Sequence, residues 1–318
     1  MGLPGLNITI SNGALGRVAA TADGVAGLIL TGNPVEGKLE LNKVYQLSSP
    51  RDLTAMGVTE ENNPLVYKDV NAFYTQAGDG AELYVLIVSS ATTLTLMCST
   101  ADESPLRRLI DRTKGRIRMV GVNRIPVDGY TPDTSETGID KDAVTAAAAA
   151  HALAESYTKQ INPFRLFVPG LLWDTEATEL YSPRKSSYNR VGFVLACDQL
   201  FDTFASPAIG QVLGRAAAYP VNYSIARVKS GSMAAEGWLS NGSKPEDVAG
   251  KADALHDAGY IFYRNYIAIN GYYLNDDCMA APVTDDYSSL NLGRVIDKAM
   301  LIVYNTYIQE IQDSVEVD

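Results

Sequence analysis

Residues 64–88, PLVYKDVNAFYTQAGDGAELYVLIV, decide the fold class. Pro64 stands at a first-turn position, where its missing N–H is harmless and its fixed φ suits a helix. Val66, Val70, Phe73, Tyr74 and Ala77 follow at helical spacing and make one apolar face. Gly78 stops that period, and Leu83–Val88 then runs as a continuous apolar segment, the mark of a buried strand. A helix feeding a buried strand is the repeating unit of an α/β protein.

The alternation extends in both directions. Before it, Gly27-Leu28-Ile29-Leu30 reads as a buried strand. After it, Ser104-Pro105 starts a helix with Leu106, Leu109 and Ile110 on one face, Gly115 ends it, and Ile117–Val122 reads as a strand. Asp142–Lys159 contains Ala146–Ala150, the strongest helix formers, and the Asn162-Pro163 step closes it. Phe164–Val168 and Val191–Cys197 read as buried strands. Ser206-Pro207 is expected to open a helix through about Ala218, ended by Pro220. Ser243-Lys244-Pro245-Glu246 has the form of a capping box opening a helix that Gly259 closes. Asn270-Gly271, between aromatic and β-branched runs, predicts the tight turn of a hairpin over 260–279. A last helix is expected over 290–312, with Leu292, Ile296, Ala299, Val303 and Tyr307 as its apolar stripe.

The expected fold is therefore mixed α/β, with sheet and helices followed by a C-terminal hairpin and a long helix. Residues 1–16 form an N-terminal arm whose Leu6–Ile10 alternates weakly, like a strand that either frays or pairs with a sheet edge, its own or a neighbour's. A first α/β portion spans 17–125. Residues 126–139, with two Pro, two Gly and no apolar period, form a linker or long loop, and a second α/β portion spans 140–318.

Composition narrows the function. The formal net charge of −11 argues against general nucleic-acid binding and against broad attraction to anionic lipid. No apolar run reaches the length of a membrane span, and Met1-Gly2-Leu3-Pro4 has neither the basic start nor the apolar core of a secretion signal. Leu6 stands where myristoylation wants Ser or Thr. Cys98, Cys197 and Cys278 are few and widely spaced, as free thiols in a reducing compartment would be.

No constellation for catalysis is evident, and no catalytic, cofactor or metal residue is assigned. There is no phosphate-cradling GxxxxGK[ST] and no strand–GxGxxG–helix context; Gly13/Gly16 and Gly78/Gly80 read as turns. Ser230-Gly-Ser232 lies in a loop and is no nucleophile elbow. His151 and His256 each fall in a helix with no Cys or second His nearby. Asp276, Asp277, Asp285 and Asp286 are the most tempting cluster: four carboxylates suit Ca²⁺ or Mg²⁺, and the alternative reading is a cytosolic α/β enzyme or binding domain with an acidic metal site there. Their spacing matches no EF-hand, and capping and turn roles are the simpler expectation. Arg107, Arg108, Arg112, Lys114, Arg116 and Arg118 read as a solvated helix face, or else as a docking face for an acidic surface of another copy.

The segment Tyr263-Arg-Asn-Tyr-Ile-Ala-Ile-Asn-Gly-Tyr-Tyr-Leu-Asn-Asp-Asp277 resembles the hairpin of contractile tail sheath proteins of the Mu-like and Bacteroidetes type. Asp285–Leu290 and Gly293–Ala299 are similar to that family's following loop and helix, and Gly24–Gly32 to its first core strand. The resemblance implies a non-enzymatic subunit, without cofactor, of a helical sheath around a tail tube. Such a sheath is assembled extended and contracts without nucleotide hydrolysis to drive the tube through a target envelope. It implies as partners further copies of the chain, the tail tube protein, and baseplate or terminator proteins, with no nucleic acid and no membrane insertion. The setting would be the bacterial cytoplasm during assembly and then a virion tail or injection particle. Relatives usually continue past the last helix, so the chain is expected to lack their C-terminal domain; with one arm only, it is expected to be monomeric or weakly associated alone.

Overall fold

A computed structural model describes residues 22–134, 137–171, 173–174, 179–201 and 204–308; the expected arm over 1–16 and the helix beyond 308 lie outside them. The first half contains β1 (Ala26–Thr31), β2 (Val44–Leu47), α1 (Arg51–Ala55), α2 (Pro64–Ala77), β3 (Leu83–Val88), α3 (Leu94–Met97), α4 (Pro105–Arg112), β4 (Met119–Asn123) and α5 (Lys141–Lys159). There follow β5 (Arg165–Pro169), β6 (Val191–Val194), β7 (Ala196–Phe201), β8 (Phe204–Pro207), α6 (Ile209–Ala218), β9 (Trp238–Leu239), α7 (Ala252–Ala258), β10 (Tyr260–Ile261), β11 (Tyr263–Tyr266), β12 (Ile269–Leu274) and α8 (Leu290–Tyr307).

The continuous apolar runs form the centre of a seven-stranded sheet in the order β10-β6-β5-β4-β1-β3-β2, parallel except for the antiparallel edge β2. Alternate residues feed two cores. Ile29, Leu86, Val88, Val120, Val122, Leu166 and Phe193 pack under α3, α4 and α5, with Leu106, Leu109, Ala146 and Ala150. Leu28, Leu30, Val85, Ile87, Met119 and Phe167 pack on the other face, under α2 and α6, with Val66, Phe73, Val212 and Leu213. Helices on both faces explain why these strands carry no polar alternation. β4 pairs with β5, so one sheet draws strands from both sides of residues 126–139, whose described members carry neither helix nor strand.

Helices α2 and α6 approach closely because Gly210 and Gly214 lie one turn apart on α6. A Cβ at either would overlap the carbonyl of Asp69 or of Phe73 on α2. The contact is sealed by a buried ionic knot: Lys68 Nζ donates to Asp198, Ser206 Oγ and Pro207 O, each at 2.8 Å, and lies 3.0 Å from Asp69.

Several local expectations are corrected. Ser206 and Pro207 end strand β8 opposite Gln199 and Cys197, held there by Lys68, and the helix starts only at Ile209. Val191–Cys197 divides into β6 and the start of β7, which turns away into a separate three-stranded sheet with β8 and β9. The 243–246 box opens no helix: Glu246 accepts from Asn265 (2.8 Å) and Tyr272 OH (2.6 Å) across the hairpin, and α7 is confined to Ala252–Ala258, closed by Gly259 at φ +96°. Within 260–279, Tyr260 and Ile261 belong to the main sheet and only β11 and β12 form the hairpin. Its turn is Ile267-Ala268, since Tyr266 pairs with Ile269 and Ala268 takes φ +64°. Asn270-Gly271 lies inside β12. Gly271 holds φ +89° beside the 232–234 segment; a Cβ there would stand 2.7 Å from Ser232 Cβ.

Candidate assembly surface

Helix α8 is attached to the body by its polar side. Leu290, Gly293, Arg294 and Asp297 are buried, at the i, i+3, i+4, i+7 positions of one face. Asp297 takes Arg165 Nε at 3.0 Å and Arg190 Nη1 at 3.2 Å, while Arg190 Nε reaches Glu155 at 2.7 Å and Arg165 Nη1 donates to Asn189 O at 2.8 Å. Gly293 makes the contact possible, because a Cβ there would overlap the Arg165 guanidinium. Burial holds the Arg294 guanidinium down at about 10. Its Nη2 donates to Asp23 O at 3.3 Å, and Lys298 reaches the Asp23 carboxylate at 2.6 Å.

The apolar face points outward. Leu292, Val295, Ile296, Ile302, Val303, Tyr304 and Ile308 are all exposed, Val303 by 56%. From Ile302 onward every described residue of the helix with a defined side chain is exposed, so the last turns project beyond the body. The expected stripe is present in Leu292, Ile296 and Val303, but among the described residues it is part of neither core. A stripe of large aliphatic side chains in water marks a surface that meets another surface.

The other candidate residues do not assemble into a catalytic centre. The acidic quartet separates: Asp277 accepts from Asn291 N–H at 3.2 Å at the start of α8, Asp285 accepts from Tyr287 N–H (2.7 Å) and Asn189, and Asp286 is exposed. The helix start is thus served by Asp277 and not, as expected, by Asp285 and Asp286. Asp276 faces His256 and Cys278 instead. His151 is half-buried against the Tyr188 ring, and burial lowers its pKa. The three cysteines are free and buried. Of the basic stretch, Arg108 meets Glu103 (3.0 Å), Arg116 meets Glu82 (2.5 Å) and Arg118 donates to the Gly115 and Ile117 carbonyls. Arg112 and Lys114 remain exposed.

The crevice at the C-terminal ends of β1 and β4, where α/β proteins commonly hold ligands, measures about 420 Å³ and is lined by Thr31, Gly32, Asn33, Asn63, Ser90 and Asp128, among others. There Asn63 Oδ1 accepts from Asn33 N–H at 2.7 Å and its amide donates back to Asn33 O, which consumes the polar groups nearest the start of α2. Among the described residues no helix is long and apolar enough to cross a membrane.

This architecture is that of contractile sheath subunits. The chain is similar to the helical sheath of the anti-feeding prophage in its contracted state (TM-score 0.59, 14% identity, 100% of this chain and 79% of that one). It is also similar to a chain of the anti-feeding prophage baseplate (TM-score 0.55, 14% identity, 98% and 78%). A third likeness is to the crystal structure of a sheath tail protein from Desulfitobacterium hafniense (TM-score 0.54, 11% identity, 96% and 83%). No curated protein matches the sequence. The chain belongs to the DUF2586 family, whose N-terminal-domain profile matches residues 3–278.

Proposed function

We propose that the chain is a structural, non-enzymatic subunit of a contractile sheath, in a phage tail or a related injection particle. Copies polymerise around a tail tube, and the lattice contracts to drive the tube through a target envelope. The observation that carries this reading is the match of the entire chain to a sheath subunit. The outward apolar face of α8 supports it, since a subunit destined for a lattice leaves such a face for a neighbour. The partners in this reading are further copies, the tube protein, and baseplate or terminator proteins. The subunit is made in the cytoplasm of the bacterial host and ends in the virion tail or particle. The segments 263–277 and 285–299 support assignment to the Mu-like and Bacteroidetes type.

Light scattering with negative-stain microscopy tests it. Alone, the purified chain is expected to associate weakly. Mixed with preformed tail-tube polymer it should add an outer layer of regular striation. The Ile302→Glu/Val303→Glu double variant, still folded by circular dichroism, should fail to do so. A wild-type chain that leaves tubes bare at every concentration would overturn the proposal.

A further inference from the structure

Three donors of different chemistry converge where α7 meets the loop leading into α8. His256 Nδ1 lies 3.9 Å from Asp276 Oδ2, Cys278 Sγ lies 3.2 Å from that same oxygen, and the three ligand atoms all sit within 4.8 Å of one another. The sheath role makes no use of them.

The surroundings fix the positions of these groups. Asn275 Oδ1 accepts from Phe262 N–H at 2.8 Å, which turns the amide nitrogen toward Tyr260 O (3.0 Å) and His256 Nδ1 (3.3 Å). An amide N–H facing Nδ1 needs a lone pair there, so the favoured tautomer carries its proton on Nε2, and an ion that binds at Nδ1 takes that lone pair over from the Asn275 amide. Asp276 spends Oδ1 on Asp277 N–H at 2.8 Å and leaves Oδ2 for the cluster. Arg184 Nη2 stands 3.0 Å from Cys278 Sγ and 3.8 Å from Asp276 Oδ2, the outer-sphere donor a bound thiolate requires. Cys278 is buried, but His256 and Asp276 are partly open to solvent, and His256 and Asn275 line a cleft of about 290 Å³ that gives an ion its way in.

We propose that His256, Asp276 and Cys278 bind a borderline transition-metal ion of the Zn²⁺ type, with solvent completing a tetrahedral set. One sulfur, one imidazole nitrogen and one carboxylate oxygen suit Zn²⁺; Ca²⁺ and Mg²⁺ take oxygen ligands alone. On binding, the Cys278 thiol gives its proton to solvent, and the thiolate with the Asp276 carboxylate balances the charge of the divalent ion. The ion would clip α7 to the segment whose next residue, Asp277, holds the start of α8.

Titration of the full chain with Co²⁺ tests the site. Expected are the visible bands of tetrahedral cobalt together with a near-ultraviolet thiolate-to-cobalt charge-transfer band, both bleached by Zn²⁺. Cys278→Ser should remove the charge-transfer band. Asn275→Ala, which frees the Nδ1 lone pair, should keep that band and bind cobalt at least as tightly as wild type; clearly weaker binding would overturn ligation through Nδ1. Absence of the band in folded wild-type protein would overturn the site, as would its survival in Cys278→Ser. If Cys278→Ser does not fold, His256→Ala decides, since that side chain is partly exposed: unchanged cobalt affinity would also overturn the proposal.

Discussion

Gly271 shows how a single residue can be read correctly as special and wrongly as to why. An Asn-Gly step favours a tight turn because both residues tolerate positive φ. Here the positive φ is used within β12, where Tyr272 N–H donates to Ala234 O at 2.9 Å and Met233 N–H to Tyr272 O at 2.7 Å. The 232–234 segment, distant in sequence, overrides the local preference, and the turn passes to Ile267-Ala268. Gly271→Val should therefore destabilise the protein by at least ~1–2 kcal/mol, the cost of a left-handed conformation, before the clash with Ser232 is added. Ala268→Gly should stabilise it by up to ~1 kcal/mol by relieving the φ of +64°. Paired chemical denaturation checks both signs; a neutral Gly271→Val would mean that Gly271 holds no positive φ in either place. His256 was illegible for the same reason. Its partners Asp276 and Cys278 lie beyond β10, β11 and β12, and only the folded hairpin brings them together.

At the scale of elements, the central strands and their covering helices were legible because burial on both faces leaves a continuous apolar run and an amphipathic helix. The orientation of α8 was not. Its apolar period predicts a helix correctly, but a period cannot tell whether its stripe meets this chain or another. The side that meets the body is polar, and Asp297 is its centre. Asp297→Ala would leave Arg165, 1% exposed, and Arg190 facing each other without their shared anion. Loss of one member of such a buried cluster costs about 3–5 kcal/mol. The expected outcome is early release of α8, seen as proteolytic cleavage within 298–308 at temperatures where the sheet is intact. Release no earlier than in wild type would mean that Leu290 and the Asp23 contacts alone hold the helix.

For the whole molecule, the Pro, Gly and Thr content of 126–139 predicts a linker or long loop, and its described members carry neither helix nor strand. Its place in the architecture was not legible, since strand order is set by pairing between segments and carries no mark in either one. β4 and β5 flank the loop and are neighbours in one sheet, so the halves of the chain share both cores. A protease site inserted at 129–132 should be cut while the two fragments co-elute and melt together. Separation of the fragments under native conditions would show that the sheet does not bind them.

The link from Asp23 to α8 has a mechanical consequence. A pull on the chain ahead of β1 and a pull on the projecting end of α8 meet at the same short contact, where Lys298 pairs with the Asp23 carboxylate and Arg294 donates to the Asp23 backbone oxygen. Tension delivered at one point reaches the other over a few ångströms, while Asp297 passes part of it to Arg165 at the start of β5. The load on the helix is thus divided between this corner and the first residue of one central strand.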